Sequence, residues 1–514
     1  MSANEPGGMT SQVLPAALEQ KHEFVSNVLK LAGGTTLAQA LTVLAAPFLA
    51  RLYAPSAFGI MAVFVSIASI VGLVACLRYD LAILLPKHDK EAANLLAISL
   101  GATIGIASLS ACLILLTHAP IVRLLNAPDL EPYLWLVPLT VCVQGWFLAL
   151  SAWNTRTKHF GRLSIAQLSQ SVTMNGTQLA LGVLGETGAG GLIGGSTLGY
   201  AMVTAVLGAQ IGRDDGSLIL RSVTMQRVRE GILRYRKFPL LEMWGALLNG
   251  VAQQLSVLLL SVFFSSTIVG YFALGNRLLG IPSALLGNAV AQVFFQRASE
   301  LRSYNGSLTG AVEGIFRQLV NVSLFPAMLL ALIGRDLVVL VFGPQWAEAG
   351  VYLQILSVWA FFQFIFSPIS TLFVVIERQD LALVVHGSLF FSRLFVLLLG
   401  GLGGDARMTI SLYAITGACV YGALVIWNLR LSGSSVRYAV GVIGQNLIYC
   451  LPAMIVLALA KWWFKPSAII LIGAVFLVLG GYLVFLAYSD STVRHLLTSL
   501  FDRAADVLTR SKSQ

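Results

Sequence analysis

From Asn27 to Tyr488 the chain is a succession of apolar runs about 20 residues long, separated by short polar gaps. An α-helix rises 1.5 Å per residue, so runs of that length match the roughly 30 Å hydrocarbon core of a bilayer. The pattern predicts fourteen transmembrane helices, at 27–50, 58–79, 92–117, 133–152, 163–184, 189–211, 239–264, 267–296, 312–334, 350–375, 381–402, 409–429, 440–460 and 467–488. An even number puts both termini on one side. Basic residues choose the side: with the N-terminus cytoplasmic, 25 of the 33 Lys and Arg fall in inner tails and loops. Six fall outside (Arg51, Arg123, Arg335, Arg407, Lys461 and Lys465) and two, Arg277 and Arg393, fall within helices. That asymmetry is the positive-inside rule, and its persistence through every alternation supports the helix count.

Composition narrows the class. With 57% hydrophobic and only 11% charged residues, the chain is neither an ordinary soluble protein, nor disordered, nor a coiled coil, nor an anchored cytosolic enzyme. A transporter, a channel or a membrane-embedded enzyme is left. The net charge of +10 is spread through short loops without interleaved aromatics, so no nucleic-acid partner is expected, and membrane lipids are the surroundings. The five cysteines (Cys76, Cys112, Cys142, Cys419 and Cys450) lie in or beside apolar runs with no metal-ligand spacing, so neither a disulfide framework nor a metal is expected. No Walker motif is present and no cofactor is expected. The polar Met1–Glu23 stretch lacks the basic start of a signal peptide, so the first helix is expected to stay as an anchor.

Shifting the chain by 211 residues lays the first helix on the seventh, with Gly34 on Gly245, Leu44 on Leu255, and Gly59 on Gly270. Two six-helix sets of the same orientation form a parallel repeat, the architecture of a two-lobed alternating-access transporter. The expected organisation is a cytoplasmic tail (1–25), an N-lobe (26–211), a basic cytoplasmic amphipathic loop (212–238), a C-lobe (239–430), two extra helices (431–488) and a cytoplasmic amphipathic tail (489–514). In the 212–238 loop Val223, Met225, Val228, Ile232 and Tyr235 share a helical face against five basic residues. This is either an interfacial helix on anionic headgroups or a solvated connector. In the last tail Leu497, Phe501, Ala504 and Leu508 repeat the device.

Polar residues inside apolar helices carry the candidate chemistry. The fifth helix aligns Ser164, Gln167, Ser171, Asn175 and Gln178, and the seventh aligns Glu242, Gly245, Asn249, Gln253 and Ser256, at the same 3/4/4/3 spacing. Such a stripe faces either a hydrated cavity or another helix, because an unsatisfied polar group in hydrocarbon is costly. Arg277 and Arg393 lie ten or so residues into their helices, too deep to snorkel easily, and no midplane carboxylate is available to pair with them. Asn288, Gln292 and Gln296 are expected on the face of Arg277, and His386 on that of Arg393. A cationic cavity wants an anion, and the guanidinium fork suits phosphate. Arg51, Arg78 and Asp80, nearer helix ends, are secondary candidates. His386 is the candidate for ion coupling, as the one expected buried residue of a type that changes charge near neutrality.

The stretches RLYAPSAFGIMAVF (51–64), LRYDLAILLP (77–86), WNTRTKHF (153–160), RYRKFPL (234–240), VGYFALGNRLLGIPSALLGNAVAQVFFQRAS (269–299) and VFGPQWAEAG (341–350) resemble the Wzx-type polysaccharide flippases of the multidrug/oligosaccharidyl-lipid/polysaccharide (MOP) superfamily. The resemblance implies an all-α polytopic protein of two six-helix lobes plus two further helices. It also implies that undecaprenyl-pyrophosphate-linked oligosaccharide is flipped across the bacterial inner membrane for O-antigen, capsule or exopolysaccharide synthesis. No bond would be made or broken. The implied partners are that lipid-linked glycan and other polysaccharide-assembly proteins such as a polymerase and a chain-length regulator. The alternatives are a MATE-like multidrug exporter and a membrane oligosaccharide polymerase or glycosyltransferase.

Overall fold

The structure, a computed structural model, describes residues 33–304 and 306–464, with Gly473, Gly480 and Gly481. The tail before residue 26, the expected helix at 467–488, the amphipathic tail after it and the placement of the termini lie outside the described residues. The helices in the first half are α1 (Gly33–Leu52), α2 (Pro55–Leu73), α3 (Tyr79–Ala82), α4 (Asp89–Leu124), α5 (Glu131–Leu134), α6 (Val137–Arg156), α7 (Phe160–Val183), α8 (Ala189–Asp214), α9 (Gly216–Ser222) and α10 (Met225–Arg234). They are followed by α11 (Met243–Phe263), α12 (Ser266–Pro282), α13 (Asn288–Ser303), α14 (Thr309–Phe342), α15 (Ala347–Ile369), α16 (Leu372–Val375), α17 (Gln379–Leu402), α18 (Ala406–Leu431) and α19 (Val436–Phe464). Helix therefore occupies each expected segment up to 440–460. Among the described residues ten helical stretches are long and apolar enough to cross a membrane, or eleven if the bent pair Pro128–Leu134 with α6 is one span. The chain is a multi-pass membrane protein. The polar stripe of α7 dilutes its apolar content, and α12 is short, so neither is among the ten.

Two boundaries differ from the expected ones for physical reasons. The helix expected at 267–296 is broken: α12 ends at Pro282 and a π turn, Ser283–Gly287, leads into α13. Proline has no N–H for the ladder and its ring crowds the preceding turn, so the hydrogen bonding widens there. A π turn holds more residues than an α turn, which moves Gln292 and Gln296 off the register with Arg277 that an unbroken helix would have given them. The expected outer loop after residue 117 is mostly helix, because α4 runs 36 residues and continues through Pro120.

The chain divides into two compact units, one of residues 1–274 with 393–409, the other of residues 275–392 with 410–514. In the first, an inner core of Cys76, Tyr79, Ile83, Leu95, Leu96, Trp153, Leu163 and Leu207 joins α3, α4, α6, α7 and α8. Trp153 Nε1 donates to Asp215 Oδ2 at 3.0 Å, and Arg162 pairs with Asp214 and Asp215. Arg156 Nη1 donates to the carbonyls of Ile83 and Pro86, and Arg156 Nη2 pairs with Asp89 at 3.0 Å. The stretches 77–86 and 153–160 are thus the clasp of one helix end.

The 212–238 segment is folded onto α4. Asn94, buried, donates to Ser222 O at 3.0 Å and accepts from Thr224 N at 3.2 Å, holding the corner between α9 and α10. Thr224 caps α10. Gly231 faces Ile98, whose Cδ1 would lie 3.0 Å from an added Cβ, so only a small residue brings α10 this close. Tyr235 Oη donates to Glu91 Oε1 at 3.0 Å and Arg234 pairs with the same oxygen at 2.9 Å. Met225, Ile232 and Leu233 are left exposed.

In the second unit α14 packs closely on α15. Gly350 lies so near Arg335 that an added Cβ would meet its Cα at 2.5 Å, and Gln354 Nε2 donates to the carbonyls of Ala331 and Leu332. The stretch 341–350 makes the turn: Gly343 closes α14 at φ 104°, where a side chain would be strained, and Trp346 is buried below it.

Candidate functional site

The two polar stripes, identical in spacing, have different fates. That of α7 is consumed by protein. Thr35 Oγ1 donates to Gln167 Oε1 at 2.6 Å, Ser171 Oγ to Ala38 O at 2.8 Å, and Asn175 Nδ2 to Thr42 Oγ1 at 3.1 Å, all on α1. Gln178 Nε2 donates to Leu192 O of α8 at 2.9 Å. Gln167 and Asn175 therefore hold α1 to α7, and neither lines the cleft described next.

The stripe of α11 opens on a cleft of about 300 Å³ walled by α2, α6, α8 and α11. Asn249 and Gln253 line it with Gln144, Gln254, Tyr200 and Phe147. The cleft exists because glycines line it. A Cβ on Gly250 would come 2.1 Å from Leu73 Cδ1, and one on Gly72 would come 2.6 Å from Gln144 Oε1. Gln254 accepts from Ser66 Oγ at 2.9 Å, and Gln144 bonds Tyr200. Asn249 and Gln253 are exposed, with no hydrogen-bond partner among the described residues. Gln144, Gln254 and Tyr200 carry no signal of function on their own sequence; only their convergence marks them.

Arg277 belongs to the second unit. On α12, Phe272, Gly275 and Leu279 are buried, and Gly275 packs against the backbone of α15 at Ala349 and Leu353. Two residues further on, about 200° around the helix, Arg277 points away from that packed face and is exposed, with no hydrogen-bond or ion-pair partner among the described residues. A guanidinium on an apolar helix is costly in hydrocarbon, and such residues face the bundle interior or a water-filled cavity instead. Arg393, on α17, is partly buried and interacts with a neighbouring protein group. The chain passes between the compact units at Leu274–Gly275 and again at Ser392–Arg393, so each arginine lies within three residues of a crossing. His386 and Gln292 are exposed, Gln296 donates to Glu300 at 3.1 Å, and Asn288 opens α13 after the π turn.

After the C-terminal end of α2, Leu77 and Arg78 adopt left-handed φ values of 48° and 62° and turn the chain into α3. Arg78 makes a loose pair with Glu242 at 3.9 Å, and its Nε is buried without a partner. Beside it Asp80 is buried; desolvation raises its carboxyl above the ordinary value near 3.8, and the Arg78 charge offsets part of that rise. Raised in the fold, the group favours the folded state fully below its ordinary pKa, and that contribution is lost as pH climbs through the folded value. Asp80→Asn is accordingly expected to raise the melting midpoint at pH 7, with the gap to wild type closing toward pH 4. A lower midpoint at pH 7 would mean that the attraction to Arg78 outweighs desolvation. Arg51, at the C-terminal end of α1, is exposed and engaged with a protein group.

Among the described residues no group of three or more His, Cys, Asp or Glu side chains is placed to hold a metal ion. No curated protein matches the chain by sequence. Among solved structures, the lipid II flippase MurJ in its inward closed conformation superposes at a TM-score of 0.71 and 13% identity, over 91% of this chain and 99% of that one. A multidrug resistance MATE family transporter of the MOP superfamily, inward-facing, superposes at 0.63 and 13% identity, over 79% and 98%. The fold is thus that of the MOP transporters. Residues 48–351, more than half the chain, match the family described as polysaccharide biosynthesis protein, and the chain belongs to that family.

Proposed function

We propose that this protein flips undecaprenyl-pyrophosphate-linked oligosaccharide across the bacterial inner membrane, from the cytoplasmic to the outer leaflet, for assembly of a surface polysaccharide. The carrying observation is Arg277, an exposed cation on a membrane helix with no partner among the described residues. The substrate's pyrophosphate supplies the missing anion, and a guanidinium binds two of its oxygens at once. Arg393 adds a second positive charge. The glycan travels through a wet path while the isoprenoid stays in lipid, and the two six-helix lobes rock about the bound substrate. No bond is made or broken, and the protein acts as a transporter with its termini cytoplasmic. Its partners are the enzymes that build the lipid-linked unit and those that polymerise it. Membership in a polysaccharide biosynthesis family supports this reading over drug export. The amide cleft adds to it, since its lining includes no carboxylate for a cationic drug.

The test is reconstitution. Liposomes are loaded on the inner leaflet with undecaprenyl-pyrophosphoryl-N-acetylglucosamine, and an external galactosyltransferase with labelled sugar donor reports each lipid that reaches the outer leaflet. Protein-dependent labelling well above empty liposomes is expected. Labelling no faster than in protein-free vesicles would end the flippase reading.

A further inference from the structure

The cleft between α2, α6, α8 and α11 has a chemistry of its own. Its polar groups are four carboxamides, Gln144, Asn249, Gln253 and Gln254, with the Tyr200 hydroxyl and Ser69; none of its lining residues is charged. Each amide offers a donor and an acceptor side by side, which matches the adjacent hydroxyls of a sugar and matches neither an isolated anion nor an apolar chain. The Phe147 and Tyr200 rings, 6.4 Å apart between centroids and tilted by 59°, add an aromatic corner in which the face of either ring can meet a pyranose. At about 300 Å³ the cleft is at the small end of ligand sites, sized for a single sugar rather than a chain. Two of the amides are already oriented, Gln254 by Ser66 and Gln144 by Tyr200, whereas Asn249 and Gln253 are uncommitted. Uncommitted amides near the middle of a membrane span cost free energy unless water or a ligand satisfies them.

We infer that this cleft is a glycan subsite that takes one uncharged sugar of the lipid-linked substrate, with Asn249 and Gln253 bonding its hydroxyls while Gln144, Gln254 and the two rings shape the pocket. The inference rests on the flippase reading and deepens it. The arginines recognise the anion common to all such carriers, and the cleft recognises the sugar. A carboxylate-bearing sugar is excluded because no cation in the cleft would compensate its charge on desolvation.

The experiment is equilibrium binding by the purified full-length protein in detergent, read by intrinsic tryptophan fluorescence, with two probes: undecaprenyl-pyrophosphoryl-N-acetylglucosamine and sugar-free undecaprenyl pyrophosphate. Wild type is expected to prefer the sugar-bearing lipid about tenfold or more. The double variant Asn249→Ala/Gln253→Ala should bring that preference to within about twofold while leaving affinity for the sugar-free lipid unchanged, with an unaltered melting midpoint showing that it is folded. Gly72→Ala, which pushes into Gln144, should erode the preference in the same direction. Equal affinity of wild type for the two lipids, or a double variant that keeps the preference, overturns the subsite and leaves the flippase reading standing on its liposome test. Failure of wild type to bind either lipid overturns both.

Discussion

Gly270→Ala is expected to cut surface polysaccharide to about a tenth of wild type or less. Gly59 and Gly270 are equivalent positions in the internal repeat, and the fold sets them against each other where α2 and α12 begin. A Cβ on Gly270 would lie 1.9 Å from Pro55 O, and one on Gly59 would lie 1.7 Å from Ser266 O. Those oxygens belong to backbone, so no side chain can rotate away, and the helices must separate by about 1.5 Å to reach van der Waals distance. Overpacking of this kind costs about 1–3 kcal/mol, which shifts a two-state equilibrium by roughly 5- to 150-fold. In the alternating-access cycle proposed above, any state that brings α2 and α12 this close becomes scarce. Spin labels at the exposed positions Ala54 and Ser265, on a background lacking the exposed Cys112 and Cys419, report the separation directly. A longer label distance in Gly270→Ala is the expected result; an unchanged distance with normal export would show that the contact is passive. Gly59→Ala should behave alike, since its clash is the mirror of the first.

Arg277→Ala is expected to slow transport in the liposome assay by about ten- to a hundredfold, the loss of roughly 1.5–3 kcal/mol for a hydrogen bond to a charged group. Arg277→Lys should recover only part of the rate, because an ammonium keeps the charge but gives up the two-pronged donation. Arg393→Ala should cost less, since Arg393 already interacts with a neighbouring protein group and is less free to meet substrate. Rates are normalised to folded, reconstituted protein. Wild-type rates in Arg277→Ala would remove the anion-recognition role assigned to it.

The contrast between α7 and α11 shows how far the sequence could be read. Both stripes announce that one face of an apolar helix meets something polar, and hydrophobic periodicity is sufficient for that. It cannot say what. Gln167, Ser171 and Asn175 meet Thr35, Ala38 and Thr42 because α1 lies along α7. Asn249 and Gln253 meet a cleft because Gly250 and Leu73 bring α2 against α11 at one side only. The same limit applies to the resemblance-bearing stretches. Trp153 and Arg156 stand out in sequence, but their partners Asp215 and Ile83 O are dispersed along the chain, so their structural role is visible only once the chain is folded. The break at Pro282 follows from the proline, whose place is plain in the sequence, whereas the apolar pattern alone predicted one unbroken helix over 267–296.

What the sequence determined by itself is the membrane, the helical class, the places of the helices up to α19, and the presence of two arginines and two polar stripes within apolar helices. These follow from transfer free energies and helix rise, which are properties of local stretches. The tertiary structure decided which stripe is spent on helix packing and which is left open, that the 212–238 segment is clasped to α4, and that repeat-related glycines touch backbone to backbone. Those outcomes depend on distances between residues far apart in the chain, and a hydrogen bond or a clash is settled within a few tenths of an ångström, a precision that no periodicity carries.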